Sequence, residues 1–120
     1  MATSIVLDLT TKMNADSDVV LDTNGWDYVI VQLVTPSGAV SFEASNDGGE
    51  VQGSTTSNIL SATNFLAIAG QDLSATASTT YVTSANASKN IRFEYPPQYL
   101  KLTGSSVTVV KLLVKLHKHF

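Results

Sequence analysis

The chain has 120 residues, room for one domain with a single core, and it holds no cysteine, so neither disulfides nor thiol chemistry contribute. Charged residues make up only 14%, against roughly 25% in ordinary soluble proteins. Ser, Thr, Asn and Gly take up the difference, and a surface of hydroxyls and amides is cheap to desolvate against another protein. The net charge of −3, with no aromatic rings interleaved among the basic residues, argues against nucleic-acid binding. No run approaches the ~18 apolar residues that read as a membrane helix.

In chain order, Ser4–Leu9 alternates as Ile5, Leu7 and Leu9 against Val6 and Asp8, which predicts a first strand. The opening MATSIVLDLTT lacks a basic region and meets Asp8 after a short apolar run, so it reads as a strand and not a signal peptide. Residues 1–10 are accordingly expected to form an N-terminal arm or edge strand. Thr10–Asp18 is polar and breaks the pattern. Val19-Val20-Leu21 predicts a second short strand, and Asp22-Thr23-Asn24-Gly25 a turn.

The strongest signal follows. Trp26–Thr35 is so rich in β-branched and aromatic residues that it predicts a strand buried on both faces, with Trp26, Tyr28, Ile30, Gln32 and Val34 opposite Val29, Val31 and Leu33. Val40, Phe42 and Ala44 alternate with Ser41, Glu43 and Ser45. Pro36-Ser37-Gly38 between the two arms predicts a hairpin, and Asn46-Asp47-Gly48-Gly49 a second turn. Trp26 and Phe42 are expected in the core. Short strands are expected around Val51, at Phe65–Ala69 and at Thr79–Thr83, with an edge or loop over Gln71–Ala77 and a loop over Ser84–Asn90. Ile91, Phe93 and Tyr95 alternate with Arg92 and Glu94 until Pro96-Pro97 stops the strand. Tyr99–Thr103 puts Leu100 and Leu102 inward. After Gly104-Ser105-Ser106, Val107–Leu116 sets Val110, Leu112, Val114 and Leu116 against Lys111, Leu113, Lys115, His117 and His119. Eight to ten short strands with regular turn signals, a count resting on the strand-spacing rule, predict an all-β fold: one antiparallel β-sandwich, jelly-roll-like, over 1–120.

Chemistry is sparse. The chain has no Gly-x-Ser-x-Gly elbow, phosphate loop or HExxH helix, so no catalytic residue is assigned and no enzyme is expected. Asp16, Asp18 and Asp22, or Asp47 and Glu50, lack EF-hand spacing and read as turn caps, so no metal and no cofactor is expected. His117 and His119 share a strand face, the i, i+2 arrangement that chelates zinc or nickel, but the intervening Lys118 favours a solvated basic end. Residues 1–88 carry nine acids and one lysine, whereas residues 89–120 carry six basic residues and Glu94. Either the last strands pair with acidic neighbours inside the fold, or they form a basic surface for a partner. For a sugar, Tyr81, Tyr95 and Tyr99 are the rings expected to be exposed for stacking.

Two segments together resemble a known family. VSFEASNDGG resembles a hairpin of small β-sandwich modules in tailed-phage virion proteins, and IRFEYPPQYLKLTGSSVTVVKLLVKL resembles the paired C-terminal strands of those modules. The similarity covers residues 38–49 and 91–116. It implies a capsid decoration (cement) protein: a non-enzymatic virion component on the head surface, assembled in the host cytoplasm, partnered by the major capsid protein and by its own copies as a homotrimer. A carbohydrate-binding module for host attachment, in a head fibre, baseplate or tail fibre, is the alternative. Such proteins attach by chain ends and loops. The candidates are therefore the small, uncharged arm Ala2, Thr3, Ser4 and Ile5, able to add as a strand, and the cationic end Lys115, His117, Lys118, His119 and Phe120. Loops at 54–64 and 70–80 are expected to serve self-association.

Overall fold

The computed structural model describes residues 2–46, 64–75 and 80–119. Among these residues eleven strands and one helix follow in order: β1 (Ala2–Asp8), α1 (Thr10–Asp16), β2 (Asp18–Asp22), β3 (Tyr28–Val34), β4 (Val40–Ser45), β5 (Leu66–Ala67), β6 (Gly70–Asp72), β7 (Tyr81–Val82), β8 (Ser84–Ala85), β9 (Lys89–Glu94), β10 (Tyr99–Thr103) and β11 (Lys111–His119). They form two antiparallel sheets, one ordered β1-β11-β3-β9-β6-β7 and the other β2-β10-β4-β5, with β8 also pairing β4. First and last long strands are neighbours, and consecutive long strands keep changing sheets. This is the wiring of a jelly roll.

That wiring overturns the expected hairpin. β3 is flanked on both sides, by β11 and β9, while β4 lies between β10 and the short pair β5 and β8. Neither has a free edge for the other, so Pro36-Ser37-Gly38 carries the chain across the sandwich. The turn is pinned there by Ser37 N–H to the Thr108 carbonyl (2.8 Å) and Thr108 N–H to Ser37 Oγ (2.9 Å). Gly104-Ser105-Ser106 likewise links β10 to β11 in the other sheet, so the last two strands are not paired with each other.

The core lies between the sheets. Val29, Val31 and Leu33 of β3, Ile91 and Phe93 of β9, and Leu112, Val114 and Leu116 of β11 face Val40 and Phe42 of β4, Leu100 and Leu102 of β10, and Val19 and Leu21 of β2. Phe42 and Phe93 meet edge to face across the gap, centroids 5.4 Å apart. β3 is therefore buried on one face only. Gln32 on its other face is exposed and Tyr28, Ile30 and Val34 are half-buried. Trp26 precedes the strand and is half-buried against the core rather than inside it. Gly70 opens β6 because a Cβ there would come within 2.4 Å of Ile91 Cγ2 and 2.7 Å of Phe93 Cε1.

α1 falls in the stretch expected only to break the pattern. It is too short to show a helical period, and it presents one fully buried side chain, Met13, to the core. Ser17 ends it in the left-handed region (φ 55°), its N–H on the Met13 carbonyl. Asn14 brackets Val109 with two backbone hydrogen bonds, and Ser17 Oγ does the same for Val107. These clamps turn Val107 and Val109 inward and leave Val110 exposed, the reverse of the expected phase, before β11 resumes alternation at Leu112.

The expected strand at Phe65–Ala69 shrinks to β5, and β8 falls in the expected loop of Ser84–Asn90. The turn positions Asp47–Gly49, the strand around Val51, most of 54–64, residues 76–79 and Phe120 lie outside the described residues.

The basic tail half is largely neutralised inside the fold. Lys89 meets Asp72 at 2.7 Å, Lys111 meets Asp8 at 3.3 Å, and Lys101 lies 4.0 Å from Asp18, each pairing a late cation with an early acid. Asp72 is only 3% exposed. The Lys89 ammonium, then the Ser74 and Ala75 backbone N–H groups, hold its carboxyl below the usual range against the opposing effect of burial. A depressed folded-state pKa means that its stabilisation is complete above the unfolded value of about 3.9 and is lost as pH falls through the folded value. Asp72→Asn should therefore lower stability by about 1–2 kcal/mol at neutral pH, because Lys89 can still reach water. It should also flatten the fall in urea midpoint below about pH 4.

Candidate interaction surface

The two chain ends, expected to be alternative attachment points, form one surface. β1 lies antiparallel to β11 with Ala2 opposite His119, Thr3 opposite Lys118, Ser4 opposite His117 and Ile5 opposite Leu116. The expected arm is thus an edge strand. Its inner edge is already used by β11, and among the described strands its outer edge has no neighbour.

Which backbone groups face outward follows from the ladder. Leu9 N–H donates to the Leu112 carbonyl at 2.8 Å, and Leu9 and Leu112 continue the same register. Antiparallel pairs alternate between hydrogen-bonded and open. Thr3, Ile5 and Leu7 therefore bond to β11, while Ala2, Ser4, Val6 and Asp8 direct their N–H and C=O groups away from it.

The strand carries little of the usual protection, its single charge being Asp8 at the end. It has seven residues and no proline or lysine, and both faces show apolar side chains, Ile5 at 42% and Val6 at 62% exposure. The other described sheet edges are the two-residue β5, β7 and β8 and the five-residue β2, which has aspartate at both ends.

On the outer face of the larger sheet, Val6, Lys115, Leu113, Ile30, Gln32 and Asn90 line a shallow groove of about 240 Å³. Beside it, His117 is held on three sides. Its ring stacks on Tyr28 (4.6 Å, 17°), its Nδ1 shares a 2.8 Å hydrogen bond with Ser4 Oγ, and its Nε2 lies 3.1 Å from His119 Nε2. Arg92 sits over the Tyr28 ring at 4.3 Å and pairs with Glu94 at 2.6 Å. Burial first, then the charges of His119 and Lys115, push the His117 imidazole below its ordinary range, with Asp27 opposing. His119 N–H donates to Asp27 Oδ2 at 2.7 Å.

The three candidate stacking rings separate. Tyr81 and Tyr95 are exposed, at 60% and 77%. Tyr99 is 2% exposed and so presents no face to a sugar. It sits in the middle of the smaller sheet, between Asp22 of β2 and Ser45 of β4, with Gln98 Nε2 donating to its hydroxyl at 3.3 Å. Sequence reasoning placed Tyr28 and Trp26 in a doubly buried strand and so missed the Tyr28–His117–Arg92 stack. The signal was the polar Gln32 on the same parity, which marks that face as the outer one.

Among the described residues no three His, Cys, Asp or Glu side chains converge as metal ligands, and no helix is long and apolar enough to cross a membrane. Asp16 pairs with Lys12, and Asp22 caps the Asn24 N–H, so these acids act locally.

Two β-sheets wired as a jelly roll, with one long open edge, define a β-sandwich of the kind found in capsid and lectin domains. The chain is similar in fold to the SPBc2 prophage-derived protein YomS, with a TM-score of 0.56 and 14% identity over 98% of this chain and 93% of that one. No family model matches the chain. No curated protein matches it in sequence.

Proposed function

We propose that the chain is a non-enzymatic structural protein of a tailed-phage virion, a capsid decoration protein that binds the head surface and its own copies. The observation that carries this reading is the seven-residue β1 edge, which among the described strands has no outer neighbour and carries no proline and no charge before Asp8. Main-chain strand addition there supplies affinity without a specialised pocket. A charge-poor surface suits the same role, and the fold shared with a prophage-derived protein is consistent with it. The partners are then the major capsid protein and the chain itself, as a homotrimer.

Mixing the purified protein with heads of the parent phage that lack it should give saturable co-sedimentation and regularly spaced density by electron microscopy. Heads that take up none of it, while tails do, would refute a decoration role. Light scattering on the isolated protein tests the trimer, since a monomer at micromolar concentration leaves assembly to the capsid.

A second reading, glycan attachment, rests on Tyr81. Its exposed ring lies opposite Gln71, which lies opposite Arg92, giving ring, amide and guanidinium across three neighbouring strands. Tyr81→Ala should abolish binding to host-derived polysaccharide if that reading holds and leave head binding untouched.

A further inference from the structure

We infer that His117 and His119 form a two-histidine site for a divalent transition metal, zinc or nickel, with Ser4 as its orienting partner. Two ligands held by one metal at 2.0–2.1 Å stand about 3.3 Å apart in a tetrahedron and about 3.0 Å apart at the corner of an octahedron. The two Nε2 atoms are 3.1 Å apart, between those values. That spacing suits two nitrogens bound to one ion.

The orientation of His117 is fixed from outside the pair. Tyr28 stacks on His117, and Ser4 Oγ lies 2.8 Å from the far nitrogen, Nδ1. When Nδ1 carries the proton and donates to Ser4, the lone pair of Nε2 is free to bind, the usual outer partner of a metal-bound histidine. In the empty state one Nε2–H must donate to the other ring. Binding moves that proton to the same ring's Nδ1, which leaves the lone pair of Nε2 for the ion.

Charge around the site is mixed. Asp27 favours a cation, Glu94 is engaged by Arg92, and Lys115 and Arg92 oppose one. Two protein ligands in such a field give moderate affinity, with water in the remaining positions. Its ligands come from β11 and its orienting contacts from Ser4 of β1 and Tyr28 of β3, so it is independent of any role on a phage head.

Zinc sulfate and nickel chloride titrated into the full, untagged chain, followed by calorimetry and by the histidine ring signals in NMR, test this directly. One equivalent should bind, and the signals of both rings should shift. His119→Ala and His117→Ala should each weaken binding at least tenfold. Ser4→Ala should weaken it about tenfold, the low end for an outer partner. Loss of the Tyr28 stack in His117→Ala makes Trp26 fluorescence a necessary check of its fold. His119 is exposed, so His119→Ala removes a ligand without removing packing. Wild-type affinity equal to that of His119→Ala, or shifts confined to other residues, would overturn the site.

Discussion

Phe42→Ala is expected to cost about 4 kcal/mol, as large aromatic cavities do. Domains of this kind are stable by only about 5–15 kcal/mol in total. Phe42 is fully buried and is the β4 side of an edge-to-face pair with Phe93 of β9. Because the two strands belong to different sheets, the pair couples layers that no described strand ladder joins. Phe93→Ala should cost a similar amount. The double variant should fall short of the sum by about 1 kcal/mol, the part belonging to the ring contact itself. Urea unfolding of the four proteins measures both. A half-buried Trp26 should cost less, about 2 kcal/mol on truncation. Equal losses at Trp26 and Phe42 would contradict the burial that separates them.

Strand identity was legible from alternation wherever one face is buried and the other wet. The apolar residues predicted to face inward in β4, β9, β10 and most of β11 do so, with Tyr99 and Ser45 buried in addition. Partnership was not legible. Pro36-Ser37-Gly38 is as good a hairpin turn as a crossing between sheets, and only the competition of β11 and β9 for both edges of β3 decides it. Phase slipped at Val110, where Asn14 and Ser17 clamp Val109 and Val107 from a helix too short to leave a periodic trace. The chain ends show the same limit. Ala2–Ile5 and His117–His119 were each recognisable as surface candidates. Nothing local says that two segments more than a hundred positions apart would pair, and that pairing makes one site of two.

Pairing also changes how attachment must be tested. Deleting residues 2–5 would strip residues 116–119 of their β1 partners, and deleting 117–120 would strip residues 2–4 of theirs, so neither truncation isolates a contribution. Val6→Pro does. The Val6 N–H points to the open side of the ladder, so proline removes an outward donor and leaves the bonds of Ile5 and Leu7 to β11. It should therefore fold, with a loss of no more than about 1 kcal/mol, yet block strand addition. If β1 is the attachment edge, Val6→Pro should lower affinity for undecorated heads more than tenfold. The wild-type affinity should then barely change with salt, because backbone hydrogen bonds carry it. Lys115→Ser supplies the opposite test. Contacts led by this cation and its neighbours would weaken as the screening length contracts below ~8 Å above physiological ionic strength. Cationic attachment thus predicts full binding by Val6→Pro and a salt-sensitive loss in Lys115→Ser. That pair of results would move the contact from the β1 edge to the outer face of the sheet.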